Sequence, residues 1–458
     1  MIRLWDHQRE AIEFALARRA TLWHMGMGTG KSRCAIELAK RLGISRVLIL
    51  CPLSVVNGWV DQLRQYGPDF EPLPLLKGTV RRKADYAKER LALAHAVGKK
   101  TVVIVNYESA RNEPLASVLM SQQFDLLVLD ESHRIKSPQG TTSRWVSRLA
   151  KTCGRKVALT GTPMPHSPLD VYAQFRALDP ALFGLSFVRF RARYAKMGGY
   201  GMKQVVGYQN MGELQNRLSA YTYQADRSVL DLPDAVHQRI PVELGAKARK
   251  LYSALDNDFV AAVREGEITA SNALVKLLRL QQLTSGWVTV EQDEQTDLVE
   301  VDTAKRDALA DLLQDLPPNE PVVVFGRFSA DLRAAHDAAA RCKRQSLELS
   351  GSRRELEEWQ AGKATVLAVQ IQSGGTGIDL TRARYCVYLS AGYSLGDYEQ
   401  SLARVHRPGQ SRSVHYYHLV AQGTVDEKVY EALRNRKQVV ESVLSGITTN
   451  QEEHTDGH

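Results

Sequence analysis

The chain has 458 residues, 44% of them hydrophobic and 24% charged, which excludes a fibrous or wholly disordered protein. Sixty lysines and arginines against 51 aspartates and glutamates leave a formal charge of +9, so a polyanionic partner is admitted but not required. Cys34, Cys51, Cys153, Cys342 and Cys386 form no CxxC pair and point to a reducing compartment, not to a disulfide framework or zinc ribbon. No apolar run approaches the roughly 18 residues of a membrane span, and the first residues carry no signal-peptide core. A cytoplasmic location is expected, with no membrane partner.

In chain order, a glycine-rich turn at 26–32 follows a short apolar segment and precedes a helix-like run. Residues 47–50, 101–105, 126–129 and 156–159 are short apolar, β-branched runs of the kind that form buried parallel strands. Segments such as 55–65 and 141–150 have helical periodicity. This alternation predicts βαβ units and a doubly wound sheet. From 163 to 301 the pattern is mostly helical, with a glycine-rich patch at 197–201 and a polar, acidic stretch at 291–300. In the run 189–194, Phe190 and Tyr194 fall at i,i+4, which predicts a helix burying both and exposing its arginines. Strand-like runs return at 322–325, 365–369, 386–389 and 414–419, with helix-like segments at 329–341, 397–405 and 424–443. The predicted class is α/β, with two doubly wound parallel-sheet lobes and helical insertions. The predicted boundaries are 1–235 for the first lobe and its insertion, 236–300 for an insertion associated with the second lobe, 301–448 for the second lobe and 449–458 for a polar tail.

Two clusters carry chemistry. In Gly26-Met27-Gly28-Thr29-Gly30-Lys31-Ser32 the glycines let backbone N–H groups face phosphate oxygens, and the following helix adds its positive end. Gly28, Thr29 and Gly30 would line the cradle. Lys31 would reach the β- and γ-phosphates of ATP, and the Ser32 hydroxyl would bind Mg²⁺. Met25 stands where the strict pattern has its first glycine. The second cluster, Asp130-Glu131-Ser132-His133, follows an apolar run, so its acids sit at the carboxyl end of a strand, where open α/β sheets bind ligands. Asp130 would hold Mg²⁺ through water and Glu131 would polarise the attacking water.

These motifs resemble those of helicase superfamily two, including its DEAH-type box, and more narrowly the Swi/Snf-like ATPases. Leu4-Trp5-Asp6-His7-Gln8 is similar to the family's opening segment, which implies that Gln8 contacts adenine. Leu48-Ile49-Leu50-Cys51-Pro52-Leu53-Ser54, with Trp59 beyond it, and Asn106-Tyr107-Glu108 resemble its DNA-side segments. Leu159-Thr160-Gly161-Thr162-Pro163 resembles the segment that couples hydrolysis to lobe movement, which implies that role for Thr160, Gly161 and Thr162. Ser373-Gly374-Gly375-Thr376-Gly377-Ile378-Asp379 resembles a Gly-Gly-x-Gly motif, with Gly377 and Asp379 on the nucleotide side. The stretch from Gln400 to Gln410 matches Q-x-x-x-R-x-x-R-x-G-Q, and its closing Gly409-Gln410 singles out the Swi/Snf branch. The resemblance spans about residues 1–445 and implies two RecA-like lobes in a compact bacterial or phage-type member. Gly58, Pro165-His166 and Asp379 depart from the family pattern.

Arginine suits the second half of such a site, because a planar guanidinium clamps phosphoryl oxygens bidentately. Arg404 and Arg407, at i,i+3 of a predicted helix, are assigned that role, with Gln400 beside them. Ser54, Asn106, Arg327 and Ser373 are the candidate contacts to a DNA backbone. The basic cluster Lys77, Arg81, Arg82, Lys83 and Lys88 reads first as a solvated helix face. The resemblance implies an ATP-dependent translocase on double-stranded DNA, tolerant of sequence. A strand-separating or branch-remodelling enzyme acting on single-stranded or branched DNA, an ATP-gated motor subunit and an RNA-directed enzyme are the alternatives.

Overall fold

The computed structural model describes residues 3–199, 204–292, 295–372 and 378–455, apart from 265–269, and describes side chains outside 259–274, 290–297 and 441–455 as well. The chain divides into two units, the first centred on Met1–Asp231 and the second on Leu232–Gly374 with Ile378–Asn435.

The first unit runs α1 (Asp6–Leu16), β1 (Ala20–Met25), α2 (Lys31–Arg41), β2 (Arg46–Cys51), α3 (Val56–Tyr66), β3 (Glu71–Pro74), α4 (Val80–Ala96), β4 (Thr101–Asn106), α5 (Tyr107–Ala110), α6 (Leu115–Ser121), β5 (Leu126–Asp130), α7 (Thr141–Leu149), β6 (Arg155–Thr160), α8 (Val171–Leu178), α9 (Phe187–Tyr194), β7 (Ala195–Gly198), β8 (Gln204–Tyr208), α10 (Met211–Ser219) and β9 (Thr222–Ala225). Seven strands form one parallel sheet in the order β3-β4-β2-β5-β6-β1-β9. Its central strands are apolar through their middles, because both faces are covered. Leu48, Leu50, Val103, Val105, Leu127 and Leu129 point to a core with α4 and α6–α8. Val47, Ile49, Val102, Ile104, Leu126 and Val128 point to the opposite core, with α1–α3. That alternation is the two-residue strand period expressed on two buried faces.

The second unit runs β10 (Ala235–Val242), α11 (Ala246–Arg264), α12 (Ala270–Thr284), β11 (Trp287–Gln292), β12 (Gln295–Glu300), α13 (Ala304–Asp315), β13 (Val322–Gly326), α14 (Ser329–Arg341), β14 (Ser346–Leu349), α15 (Leu356–Gln360), β15 (Val366–Gln370), β16 (Tyr385–Tyr388), α16 (Leu395–Val405), β17 (Val414–Ala421) and the first part, to Asn435, of α17 (Val425–Thr455). Six strands form a second parallel sheet, β10-β17-β16-β13-β15-β14. Val322, Val324, Val366 and Ala368 face α13 and α14, while Val323, Phe325, Leu367 and Val369 face α15 and α16. The fold is thus α/β, two doubly wound, RecA-like parallel-sheet lobes. Among the described residues no helix is long and apolar enough to cross a membrane.

The mostly helical reading of 163–301 is corrected in four places. β7 and β8 form one antiparallel hairpin and β11 and β12 another. β9 extends the first sheet and β10 edges the second. The polar stretch 291–300 holds β12, paired antiparallel with β11. β10 contains Pro241, which an edge strand tolerates because its outer side needs no donor. The reading of 189–194 as a half-buried helix holds. Phe190 and Tyr194 are buried, Arg189 and Arg193 are exposed, and Phe183 packs its ring against Phe190.

One buried ion pair ties the helices of the second unit to its sheet. Lys305 Nζ on α13 lies 2.5 Å from Asp426 Oδ2 on α17 and donates to the Leu389 carbonyl at 2.7 Å. Asp426 also accepts from the Thr284 hydroxyl (2.8 Å) and the Ala421 amide (3.2 Å). Removing one partner strands the other charge in the interior. Lys305→Met should therefore destabilise the protein by about 3–5 kcal/mol. In chemical denaturation, Lys305→Met/Asp426→Leu should recover much of that loss. A double variant no more stable than the single one would contradict this account.

Candidate active site

Strand register brings the motifs of the first unit to one edge of its sheet. Asn106 ends β4 beside Cys51 of β2, and Leu50 stands beside Leu129, one residue before Asp130. Asp130 stands beside Leu159 of β6, and Thr160 beside His24 of β1, two residues before Gly26. The carboxyl ends of adjacent parallel strands thus deliver Asn106, Asp130, Thr160 and the glycine loop to the edge where such sheets bind ligands.

The loop from Gly26 to Gly30 has the shape of a phosphate cradle. Gly28 and Gly30 have φ of 87° and 84°, a left-handed conformation that side chains resist. A Cβ on Gly30 would lie 2.3 Å from the Gln8 amide, and one on Gly26 would lie 2.6 Å from Arg227 Cγ. Lys31 opens α2, so the helix N-terminus faces the loop. Its Nζ donates to the carbonyls of Met25 (2.9 Å) and Gly26 (3.1 Å). Ser32 is half-buried in the first turn, and Thr29 bonds its hydroxyl to the Gly26 carbonyl at 2.7 Å. Gln8 is buried: its amide N–H donates to the Thr29 carbonyl (2.9 Å) and its oxygen accepts from Trp5 N–H (3.1 Å). Gln8 therefore braces the loop, and its adenine contact stays an inference from resemblance.

The acid pair lies at the end of β5. Asp130 is 8% exposed and Glu131 is 7% exposed. Burial, then the neighbouring Glu131 charge, pushes the Asp130 carboxyl from 3.8 up to about 7, while the Trp59 N–H and the Lys31 ammonium pull it back. Glu131 has φ 50°, a left-handed backbone that costs a non-glycine residue roughly 1–2 kcal/mol. Its Oε2 is buried without a hydrogen-bond partner, 3.4 Å from His133 Nδ1. Two adjacent carboxyls held nearly dry in this way suit a divalent cation and a water to be activated.

The pair is wired to the 160–163 turn. His133 Nδ1 lies 3.1 Å from the Thr160 hydroxyl, which also accepts from the Thr162 amide at 3.0 Å. The side of Gly161 faces the Met25 carbonyl and Met27. Gln174 of α8, fully buried, accepts from Ser132 Oγ (2.8 Å) and donates to the Pro163 carbonyl (2.7 Å). Sequence reading missed His133, Gln174 and Arg227 as site residues. Gln174 had a signal, a lone amide in V-Y-A-Q-F-R-A-L; Arg227 had none in its spacing.

The candidate nucleic-acid residues separate. Ser54 is exposed in the turn Leu53–Val55, whereas Asn106 is 5% exposed and donates to Glu108 at 3.0 Å. Trp59 does not face solvent; it is 2% exposed and donates its indole N–H to Asp130 Oδ2 at 2.8 Å. Arg81, Arg82 and Lys88 lie on the exposed face of α4, but Lys83 is buried and donates to Ser109 Oγ at 3.1 Å.

In the second unit Gln400 and Arg404 line a small cavity with Phe325, Val369 and Asp397. α16 ends at Val405, so Arg407 lies beyond the helix and the two arginines do not share a helical face. Pro408 disfavours helical backbone at the residue before it. Arg407 donates to the Ile378 carbonyl at 3.1 Å. Asp379 accepts from the Thr381 amide (2.9 Å) and hydroxyl (2.7 Å), a local turn. Arg327 turns its guanidinium onto Gln281 of α12, and burial lowers its pKa. Gln410 is a strut, donating to the Thr381 (3.1 Å) and Ala383 (2.8 Å) carbonyls. Ser373 and Gly377 lie outside the described residues.

A phosphate loop, a strand-end acid pair and a second parallel-sheet lobe define a helicase-like phosphate-loop ATPase. The family model for the SNF2-related domain matches residues 7–286, and that for the helicase conserved C-terminal domain matches 304–409. The chain belongs to the SNF2-related family. It is similar to the DNA annealing helicase and endonuclease ZRANB3 of Bos taurus, at 26% identity over 97% of this chain but 41% of that protein. The chain thus spans about two fifths of the length of these curated relatives. It is 28% identical to protein p41 of Acyrthosiphon pisum secondary endosymbiont phage 1, over 93% of this chain and 94% of that one. The Sulfolobus solfataricus SWI2/SNF2 ATPase core in complex with dsDNA aligns with a TM-score of 0.45 at 20% identity, covering 97% of this chain and 93% of that one.

The raised pKa of Asp130 has a stability consequence. Its ionised form is disfavoured in the folded protein, so the group costs stability as pH rises from about 4 towards 7, and that cost levels off above. Asp130→Asn should raise the melting temperature of the ligand-free protein, more at pH 8 than at pH 5. It should also lower ATP turnover by about 100-fold or more. A lower melting temperature at pH 8 would contradict the assignment of a strained, buried charge.

Proposed function

We propose that the chain is an ATP-dependent translocase that moves along double-stranded DNA without reading its sequence. The observation that carries this reading is the shared sheet edge. The glycine loop, the acid pair and the Thr160 turn lie there beside the Ser54 turn and Asn106. This supports a reading in which the exposed Ser54 turn, with the buried Asn106 behind it, faces DNA at the same edge as the nucleotide chemistry. The name of ZRANB3, a DNA annealing helicase, supports DNA as the track. The net charge of +9 favours a polyanion. Conversion of ATP energy into motion belongs to this proposal, as does action in the cytoplasm of a bacterial or phage-infected cell, the latter in keeping with the phage relative p41.

The roles proposed for the site residues join this geometry to the family resemblance. Gly28, Thr29 and Gly30 present the loop backbone to the β- and γ-phosphates, and Lys31 exchanges its carbonyl partners for phosphate oxygens. Ser32 and Asp130 would hold Mg²⁺, Asp130 through water; when bound, the ion offsets charge on the phosphates and on the acid pair. Glu131 accepts the proton of the attacking water, and His133 reports that change to Thr160, Gly161 and Thr162. Arg404 and Arg407, with Gln400, stabilise the transferring phosphoryl group, while Gln8, Gly377 and Asp379 complete the nucleotide contacts. Ser54, Asn106, Arg327 and Ser373 are the proposed backbone contacts. A second reading, annealing or remodelling of branched DNA, is favoured by the ZRANB3 name.

Steady-state ATP hydrolysis with duplex, single-stranded, forked or no DNA, and with RNA, tests the proposal. Duplex DNA should stimulate turnover, and Lys31→Ala should abolish it. Arg404→Ala should cost about 10³-fold or more. Stimulation should weaken steeply with salt, as expected when cations are released from phosphates. Preference for forks would support the second reading, and preference for RNA or no turnover at all would overturn the first.

A further inference from the structure

Two side chains reach Asp130 from the segments just assigned to the DNA backbone. Trp59 lies in the first turns of α3, directly after the exposed Leu53–Val55 turn that carries Ser54. Its indole N–H donates to Asp130 Oδ2 at 2.8 Å. Tyr107 follows Asn106 in the chain, and its hydroxyl donates to the Asp130 backbone carbonyl at 2.8 Å. A third donor, the Glu131 amide, holds Asp130 Oδ1 at 3.0 Å. The carboxylate is thus fixed at both oxygens and the main chain beneath it is fixed as well.

Burial alone does not produce such a bond. Trp23, Trp145 and Trp359 are also buried, and their indole N–H groups have no partner. Trp59 is 2% exposed and Tyr107 is 1% exposed, so both rings are locked by packing, Trp59 in the core under α1–α3 and Tyr107 in the opposite core. Locked rings transmit displacement instead of absorbing it by changing rotamer. A shift of α3 or α5 must therefore drag or break a bond to Asp130. A hydrogen bond to a charged group in a dry interior is worth more than one in water, and its loss is correspondingly felt.

We propose that Trp59 and Tyr107 are positioning residues through which DNA held at the exposed Ser54 turn, and pressing on the segment that begins at Asn106, sets the orientation of Asp130, making hydrolysis responsive to the track. The inference rests on the assignment of Asp130 to Mg²⁺ and of the two flanking segments to DNA. Both residues act through Asp130 and touch neither nucleotide nor DNA.

The test uses the full chain, Trp59→Phe and Tyr107→Phe, with two readouts. The first is the ratio of duplex-stimulated to basal ATP turnover. The second is calorimetric binding of a non-hydrolysable ATP analogue, with Mg²⁺ and with EDTA. Each variant should lower the stimulation ratio by about 10-fold, the scale of losing a partner that orients a metal-holding group. The affinity for duplex should stay at the wild-type value. Trp59→Phe should also lose much of the gain in analogue affinity that Mg²⁺ gives the wild type, with affinity in EDTA unchanged. If Trp59→Phe does not fold, Tyr107→Phe, which removes a single hydroxyl, carries the test. Folded variants with the wild-type stimulation ratio and the wild-type Mg²⁺ gain would overturn the inference alone. A wild-type chain that no DNA stimulates would sink the functional reading, and this inference with it.

Discussion

The structure turns on holding two adjacent carboxylates in a nearly dry place. Charge at Asp130 is disfavoured by burial and by the neighbouring Glu131, and the fold supplies fixed donors instead of bulk water. Trp59, the Glu131 amide and the Lys31 ammonium face Asp130, while His133 stands beside Glu131. Such a pair is a poor choice for stability and a good one for binding a cation and activating water. The left-handed backbone at Glu131 adds to the cost and belongs to the same compromise, since strain of this kind persists where the surroundings fix it.

Parallel β architecture makes the arrangement possible. Every strand of the first sheet ends on the same side, so residues placed at the strand ends land in one row. The sequence then needs only local rules: apolar residues within the strand, and a glycine, an acid or a hydroxyl at its end. Neighbouring ends touch across a single strand spacing. Asp130 is within reach of a tryptophan from the helix after the adjacent β2 and of a tyrosine after β4, one strand further out. The second unit repeats the plan with different chemistry. Its strand ends carry Arg327 and Ser390, and buried Asp331 accepts from Ser390 at 2.5 Å and from the Arg327 amide at 2.9 Å.

Much of the fold was legible because both sheets are buried on two faces. Continuous runs such as Leu126–Asp130 and Val322–Gly326 have few competing readings, and Gly28 to Ser32 names its own loop. The hairpins between the lobes were not legible. β7, β8, β11 and β12 are short, partly polar strands whose pairing is set by a partner strand, which periodicity does not reveal. In the candidate site, residue identities at strand ends were readable, but side-chain direction was not. Pro408, a local signal against helix at Arg407, was there to be read; by contrast, nothing in the spacing tells that Trp59 points inward to Asp130 or that Gln8 is spent on the loop carbonyl of Thr29. Those facts depend on long-range packing, where residues some 70 positions apart meet.

Motion along intact duplex is the central claim, and displacement of a third strand measures it most directly. A labelled oligonucleotide is bound as a triplex at one end of a linear duplex, and its release is followed with ATP, without ATP and with the Lys31→Ala protein. The account predicts ATP-dependent release by the wild type alone, with the underlying duplex left paired. Absence of release under conditions where the same DNA stimulates ATP turnover would contradict it.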